Sequence, residues 1–318
     1  MWISPYKYVL SLGHLCSDIN QSILSAVLPF LIATYHYDYT TAAMLVTVSN
    51  VFGAFVQPFI GMLSDKKNKL LYMTLGVLLA SGGMAVTGFI SNFFGLWIVV
   101  IMSGIGVAMF HPQAAKLFNS VSSKNAKGKG MSIFSFGGKV GFTLGPVYTA
   151  FLMNLFGMKG TILFLIPGIV FGIVCSFFNK DFENLDVLEV EKKEKVKSEQ
   201  KDDWSGFNKL CCVVFSRSIL SNGISTFLAF YFIQQFSKSN SFASMLLSVF
   251  YGIGSITLLG GGIADCFGHR KMVRLSFCIF LPAIFIFTNT SHFVIALIML
   301  IFMTCGESLS YSPMVVLG

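Results

Sequence analysis

Long runs of apolar residues follow one another along this chain and limit what it can fold into. About 20 apolar residues are enough to cross the hydrocarbon core of a membrane as a helix. Strands of a membrane barrel would instead be shorter and alternate in polarity. The sequence therefore predicts an all-α, polytopic membrane helix bundle, with runs near 8–33, 41–63, 70–90, 93–115, 130–154, 160–179, 210–233, 242–263, 275–290 and 292–317.

The composition agrees with a membrane environment. Charged residues make up 11% of the chain and hydrophobic residues 54%, whereas about a quarter of the residues in a soluble domain are charged. The net charge of +8 would fit a nucleic-acid partner only if it formed a basic patch interleaved with aromatic residues. Because Lys and Arg lie mostly between the apolar runs, we expect no nucleic-acid partner.

Basic residues at the ends of the runs predict how the chain crosses the membrane. Lys and Arg are retained preferentially on the cytoplasmic side of short loops. With a cytoplasmic N-terminus, only Lys159 and Lys238 face outward, while twelve basic residues face inward: Lys7, Lys66, Lys67, Lys69, Lys116, Lys124, Lys127, Lys129, Lys209, Arg270, Lys271 and Arg274. We therefore expect a multi-pass protein of the cell membrane with a cytoplasmic N-terminus.

One segment differs from the rest in being strongly charged. Residues 180–206 contain nine acidic residues and six lysines with few apolar residues, so they cannot bury a core. We expect a solvated cytoplasmic linker there. It would separate an N-terminal six-span half at 1–179 from an incomplete C-terminal half with four spans at 207–318.

Two features recur in register and indicate an internal duplication. The stretch 61–69 follows the second run and the similar stretch 261–271 follows the eighth, and their aspartates lie 200 positions apart. Pro112 in the fourth run and Pro313 in the tenth are 201 positions apart. Repeated halves of this kind are typical of membrane transporters.

The stretch 61–69 also resembles the loop signature of the major facilitator superfamily. Within that superfamily, further stretches are similar to the fosmidomycin-resistance branch of drug exporters: Gly13-His14-Leu15 with Asp18, Leu28-Pro29-Phe30, Gln57-Pro58, Phe110-His111-Pro112, Phe136-Gly137-Gly138, Leu144-Gly145-Pro146, Arg217-Ser218 and 312–318. Residues 141–146 resemble the fifth-span motif of drug/proton antiporters. The chain departs from these patterns at Asn68 and Lys139, where glycine and asparagine are usual.

This resemblance implies the major facilitator fold with about ten of its twelve spans present, and two further spans beyond Gly318. It also implies proton-coupled efflux of small drug-like or anionic compounds by a monomer, without a cofactor, with membrane lipid around it. Its motifs imply a gating role for loop residues Gly61, Asp65, Lys66, Asp265 and Arg270. Close helix packing is expected at Gly137, Gly138, Gly141, Gly145 and Pro146.

Polar and charged side chains inside the apolar runs are the candidates for a transport site, because a charge in hydrocarbon is costly. In the first run, polar residues recur at three- and four-residue steps and so share one helix face: Ser11, His14, Asp18, Gln21 or Ser22, and Ser25. We expect proton coupling at Asp18, His14 and Glu307. We expect the substrate to contact Gln21, Gln57, Lys139, Arg217, Ser221 and Tyr311.

Other interpretations of these residues remain open at this point. The charges could form fixed ion pairs between helices, and His14 could be a hydrogen-bonded packing residue. His111, near the cytoplasmic end of its run, is interpreted as structural. If Lys139 and Arg217 bind a carboxylate or phosphate, the chain would be an uptake permease for a small organic anion; it could also be an inactive fragment of a transporter.

The sequence lacks the motifs of an enzyme centre. It contains neither His-Glu-x-x-His nor Gly-x-Ser-x-Gly, and its cysteines are not spaced as metal ligands. We therefore expect no catalytic residues and no metal site, and we interpret the cysteines as small apolar packing residues.

Overall fold

The computed structural model describes residues 5–64, 69–121, 127–178, 204–256 and 267–309. The chain divides into two compact units, Met1–Lys197 and Ser198–Gly318. The division falls inside the segment 180–206 that is predicted to be a linker. Most of that segment lies outside the described residues.

The described part of unit 1 contains six α-helices that correspond to the six predicted spans. They are α1 (Pro5–Tyr35), α2 (Tyr39–Ser64), α3 (Lys69–Ala85), α4 (Phe93–Val121), α5 (Lys127–Phe156) and α6 (166–178). Short 3₁₀ segments connect α3 to α4 at Thr87–Phe89 and α5 to α6 at Gly157–Leu165. The predicted sixth span, 160–179, therefore begins within a 3₁₀ segment and becomes α-helical only at residue 166.

Unit 2 contains four helices in its described part. They are α7 (Trp204–Phe236), α8 (Asn240–Ile256), α9 (His269–Asn289) and α10 (Phe293–Leu309). The predicted eighth and tenth spans continue to residues 263 and 317, and these continuations lie outside the described residues. The segment predicted as linker ends within the first turn of α7.

The helices have the length and composition of membrane spans. Within the described residues, seven helical stretches are long and apolar enough to cross a membrane, and α10 is a shorter apolar helix. Large apolar side chains such as Phe94, Phe177 and Phe285 are more than two thirds exposed within their own units. Lipid is the solvent that makes such exposure favourable, so the prediction of an all-α membrane bundle is confirmed.

The packing of α1 against α5 organises unit 1. Four glycines of α5 face α1, and a Cβ atom built on any of them would collide with that helix. At Gly137, Gly141 and Gly145 the collisions involve the Ser11 and Leu15 carbonyl oxygens and the Ser22 hydroxyl, respectively. Small residues allow helices in membranes to approach closely. Because lipid is itself apolar, van der Waals contact rather than the hydrophobic effect stabilises such packing.

The turn between α1 and α2 is fixed by local and distant hydrogen bonds. The Thr41 backbone N–H donates to Asp38 Oδ1 over 2.5 Å and so caps the start of α2. Hydrogen bonds from the Thr41 hydroxyl and backbone hold the pKa of Asp38 below its usual value. The Tyr35 and Tyr37 hydroxyls donate to carbonyl oxygens of the α3–α4 connection, at 3.2 Å and 2.6 Å.

An aromatic cluster holds unit 2 together at the α9–α10 turn. Tyr231 and Phe232 of α7 pack on Phe287 of α9, with ring centroids 4.5 Å and 5.9 Å apart. The Tyr231 hydroxyl donates to the Phe287 carbonyl over 2.7 Å. Phe232 also contacts Phe293 of α10, so one aromatic group joins three helices.

Replacing Gly141 by alanine tests the close approach of α1 and α5. The new Cβ would lie against the Leu15 backbone carbonyl, which cannot move without shifting the helix. Overpacking of this kind costs about 1–3 kcal/mol, which exceeds the gain of about 1 kcal/mol from alanine's higher helix propensity. We expect Gly141→Ala to lower the thermal unfolding temperature, measured by tryptophan fluorescence in detergent.

Gly82 of α3 provides the matched control. A Cβ at this helical position meets no atom within 4 Å, so Gly82→Ala should leave the unfolding temperature unchanged or raise it. Equal effects of the two substitutions would contradict the proposed packing.

Candidate functional site

The first helix carries two titratable residues one turn apart. His14 Nε2 lies 3.3 Å from Asp18 Oδ2, and only 3% of Asp18 is exposed. Both residues sit near the middle of α1, where an unpaired carboxylate would be costly. The two residues predicted from the first run as proton-coupling groups therefore contact each other.

A third titratable residue reaches the same carboxylate from another helix. His111 of α4 places its Nε2 3.3 Å from Asp18 Oδ1, and its ring centroid is 5.2 Å from that of His14. The sequence pattern alone favours a structural role for His111. Nothing local indicates its partner, because residues 18 and 111 meet only when α1 packs on α4. We call His14, Asp18 and His111 the His-Asp-His cluster.

The orientation of His14 determines where a proton can sit. His14 Nδ1 lies 2.8 Å from the Phe134 carbonyl oxygen, which can only accept, so Nδ1 carries a hydrogen. The Nε2 contact with Asp18 then needs a further proton, either on the imidazole or on the carboxyl group. The pair thus provides a position for one exchangeable proton between Nε2 and Oδ2.

Helix α5 supplies the wall of the cluster. A Cβ at Gly138 would lie 2.5 Å from Asp18 Oδ2 and 2.6 Å from His14 Nε2, so glycine leaves the space that these groups occupy. The Phe134 ring stacks on the His14 ring with centroids 4.2 Å apart. The cluster is consequently enclosed on this side by a ring and by bare backbone.

Lys139 adds a positive charge to the surroundings of the cluster. It follows Gly138 on α5, is partly buried, and interacts repulsively with a protonated His14. Its backbone carbonyl accepts a hydrogen bond from the Thr143 hydroxyl.

In unit 2, Arg217 of α7 forms an ion pair with Glu307 of α10. Arg217 Nη2 donates to Glu307 Oε1, and both side chains are about nine-tenths buried. The Ser221 and Ser308 hydroxyls donate to the same carboxylate, each over 3.2 Å. Three side chains thus donate to one buried carboxylate. The partner of each charge, which the sequence left open, is thus visible within this unit.

The two units use equivalent helices for these contacts. In unit 1 the first helix supplies the acid, Asp18, and the fourth helix supplies the base, His111. Among the described helices of unit 2, the first supplies the base, Arg217, and the fourth supplies the acid, Glu307. The duplication inferred from the loops is accompanied by an acid-base contact at corresponding places, with the roles exchanged.

Other predicted site residues lie elsewhere. Gln21 and Gln57 are exposed on α1 and α2, and Arg270 is exposed at the start of α9. Gly61 lies near the end of α2, where a Cβ would meet no atom within 4 Å. Pro146 is buried within α5. Four predicted residues lie outside the described parts of the chain: Asp65, Lys66, Asp265 and Tyr311.

Two buried amides that the sequence did not single out also join helices of unit 1. Asn20 Nδ2 donates to the Ser81 hydroxyl over 2.8 Å and links α1 to α3. Gln113 Nε2 donates to the Ile60 carbonyl over 3.4 Å and links α4 to α2. In the sequence, the one signal that could have marked Asn20 and Gln113 as helix-linking residues is an amide side chain within an apolar run.

Comparison with known proteins identifies a family and several similar proteins. A sequence profile described as Major Facilitator Superfamily matches residues 10–318. The fosmidomycin resistance protein of Escherichia coli is 23% identical over 276 residues, which cover 83% of this chain and 66% of that protein. The multi-drug resistance efflux pump PmrA of Streptococcus pneumoniae is 28% identical over 148 residues, covering 45% of this chain and 36% of the pump.

A solved structure shares the fold. The bacterial homolog of the human lysosomal transporter Spinster, in an inward-facing and occupied conformation, superposes with a TM-score of 0.77 at 16% identity. The superposition covers 98% of this chain and 73% of that structure. Since the profile matches nearly the whole chain and the helices follow the fold of a transporter, this chain belongs to the major facilitator superfamily of membrane transporters.

Proposed function

We propose that this chain belongs to a proton-coupled exporter of small drug-like or anionic compounds. The observation that carries the proposal is the buried Asp18 carboxylate between two imidazoles near the middle of a membrane helix. The resemblance to a fosmidomycin resistance protein and to a multi-drug efflux pump supports export of small molecules.

Asp18 and His14 are suited to carry the coupling proton. A buried carboxylate in an apolar helix is costly unless it is paired, so its gain or loss of a proton changes the energy of the surrounding helices. Histidine takes up or releases protons near neutral pH, and it can pass them to a neighbouring carboxylate. In this proposal, protonation at His14 and Asp18 alters the contact of α1 with α4 through His111.

Glu307 is proposed as a second proton-coupling group, with a different task. Its carboxylate accepts hydrogen bonds from the Arg217 guanidinium and from the Ser221 hydroxyl, so both donors are engaged. Protonation of Glu307 would weaken the pair and leave Arg217 and Ser221 to bind a carboxylate or phosphate of the substrate. Substrate contacts at Lys139, at the exposed glutamines Gln21 and Gln57, and at Tyr311 belong to the same proposal.

The remaining features of the proposal concern the setting of the transporter. We propose that it acts as a monomer in the cell membrane with its N-terminus in the cytoplasm. The residues proposed to act in gating, in and next to the two loop motifs, are Gly61, Asp65, Lys66, Asp265 and Arg270. The basic residues among them would hold these loops on the cytoplasmic side.

Replacing Asp18 by asparagine tests the assignment of proton coupling. The asparagine side chain keeps the shape of aspartate but cannot take up a proton. We expect Asp18→Asn to abolish efflux driven by a pH gradient, to the level of vesicles without the transporter, because the proton step is lost. The measurement is accumulation of a fluorescent drug inside inverted vesicles after an imposed pH jump, because export from the cytoplasmic side is directed into the lumen of such vesicles.

Asp38→Asn is the matched control for this experiment. Asp38 caps α2 in an exposed turn, and asparagine is an equally good capping residue. The control variant should transport as the wild type does. Proton-driven efflux that persists in Asp18→Asn would exclude Asp18 as the coupling group.

Replacing Glu307 by glutamine tests the role of the Arg217 pair. The variant leaves a buried guanidinium without its counter-charge, which typically costs about 3–5 kcal/mol. We expect Glu307→Gln to unfold at lower temperature, and the double variant Arg217→Met with Glu307→Gln to recover most of the loss. If an anionic substrate binds Arg217, millimolar organic anions should raise the unfolding temperature of Glu307→Gln more than that of the wild type.

The same measurement has outcomes that contradict the proposal. A double variant no more stable than Glu307→Gln would show that the pair is not what the single substitution disturbs. Stabilisation of the double variant by the same anions would place their binding away from Arg217.

Uptake of a small organic anion is the second candidate function. The observation that favours it is the carboxylate environment in unit 2, where Arg217, Ser221 and Ser308 all donate to one carboxylate. Counterflow in vesicles separates the candidates, because an uptake permease exchanges internal for external anion without a pH gradient. An absence of exchange across a panel of carboxylates and phosphates would rule out this second function.

A further inference from the structure

The His-Asp-His cluster contains the donor atoms that transition metals prefer. Imidazole nitrogen and carboxylate oxygen are common zinc ligands, and catalytic zinc sites use three protein ligands with one position left open. We propose that His14 Nε2, the Asp18 carboxylate and His111 Nε2 bind a divalent transition-metal cation of the zinc class. The three ligand atoms all lie within 4.8 Å of one another.

The distances between these atoms fit one shared ion. Ligands held about 2.0–2.1 Å from a tetrahedral zinc ion are separated from each other by about 3.3–3.4 Å. Both histidine contacts with Asp18 are 3.3 Å long, and they reach different oxygens of the carboxylate. One ring nitrogen of each histidine lies within 4.8 Å of the other, and the His111 side chain is 28% exposed.

The surroundings of His14 also match those of a metal ligand. A histidine that binds a metal almost always donates its other ring N–H to a carboxylate or a backbone carbonyl, which fixes the ring and its tautomer. His14 Nδ1 makes this contact with the Phe134 carbonyl oxygen over 2.8 Å. In the neutral ring, the lone pair of Nε2 therefore points at Asp18, where a metal ion would take the place of the proton.

Two further observations show that the position is polar and that α5 places no side chain in it at Gly138. Asp18 Oδ1 is buried and makes no hydrogen bond to any of the described residues, although His111 is nearby. Gly138 presents bare backbone, and even a Cβ there would lie within 2.6 Å of both His14 Nε2 and Asp18 Oδ2. The space beside the ligand atoms thus depends on the absence of a side chain.

The charges around the site act in both directions. The Asp18 carboxylate on α1 attracts a dication, while the imidazoles of His14 and His111 are neutral when they bind. Lys139 on α5 repels positive charge at His14. The carboxylate and the ammonium group act on the cation in opposite directions, so the ligand atoms determine which metal binds. Two imidazole nitrogens favour transition metals such as zinc over calcium or magnesium.

Cobalt titration of the full chain in lipid nanodiscs tests this inference without any transport. Co²⁺ replaces zinc readily and gives visible absorption bands when nitrogen and oxygen ligands hold it in four-coordinate geometry. We expect a saturable band that Zn²⁺ abolishes by competition. Asp18→Asn and His111→Gln should each weaken Co²⁺ binding by at least about tenfold, since even residues behind the ligands are worth about 10–100-fold in metal affinity.

His292→Gln is the matched control, because His292 is exposed in the turn between α9 and α10. It should bind Co²⁺ as the wild type does, and thermal unfolding would show whether each variant is folded. No band with the wild type, or equal affinity in wild type, Asp18→Asn and His111→Gln, would overturn the metal site. Zn²⁺ that raises the unfolding temperature of the wild type but not of His111→Gln would support it independently.

The outcome is separable from that of the proposed export function. Absence of Co²⁺ binding together with loss of proton-driven efflux in Asp18→Asn would remove the metal site and leave the coupling assignment. Metal binding that depends on His111, with proton-driven efflux intact in Asp18→Asn, would support the metal site and remove the coupling assignment.

Discussion

The contacts of the buried acids in this molecule answer one constraint, the cost of a charge among apolar helices. Lipid offers no water to an unpaired carboxylate, so a buried acid must find a proton, a cation or several hydrogen-bond donors. Asp18 has two imidazoles as neighbours, and Glu307 has a guanidinium and two hydroxyls. The difference between these partners is chemical as well as structural, because histidine can become neutral near physiological pH while arginine stays charged.

The geometry around Asp18 depends on residues that carry no charge. The glycines of α5 bring its backbone against α1, and Gly138 leaves the space in which His14 and Asp18 lie. The same approach brings the Phe134 carbonyl within hydrogen-bonding distance of His14 and so fixes its tautomer. Close helix packing and the chemistry of the cluster are therefore two results of one stripe of small residues.

The sequence predicted the fold well because long apolar runs and loop charges are local signals. The helix bounds within the described residues agree with the predicted spans to within about six residues, and the sixth span begins in 3₁₀ geometry. His14 and Asp18 were predicted from their spacing on one helix face. His111 was not, because its partner lies in a different helix and no periodicity records that contact. The Arg217 and Glu307 pair was open for the same reason, since each residue is isolated in its own run.

The tyrosine hydroxyls at the end of α1 have a mechanical consequence for unit 1. Tyr35 and Tyr37 tie this end of the α1–α2 pair to the connection that precedes α4. Because α1 and α4 are linked at this end, they separate most readily by rotating about the link. Asp18 and His111 both lie far from this link along their helices. A small rotation of the helices at the link therefore produces a larger displacement between the Asp18 carboxylate and His111.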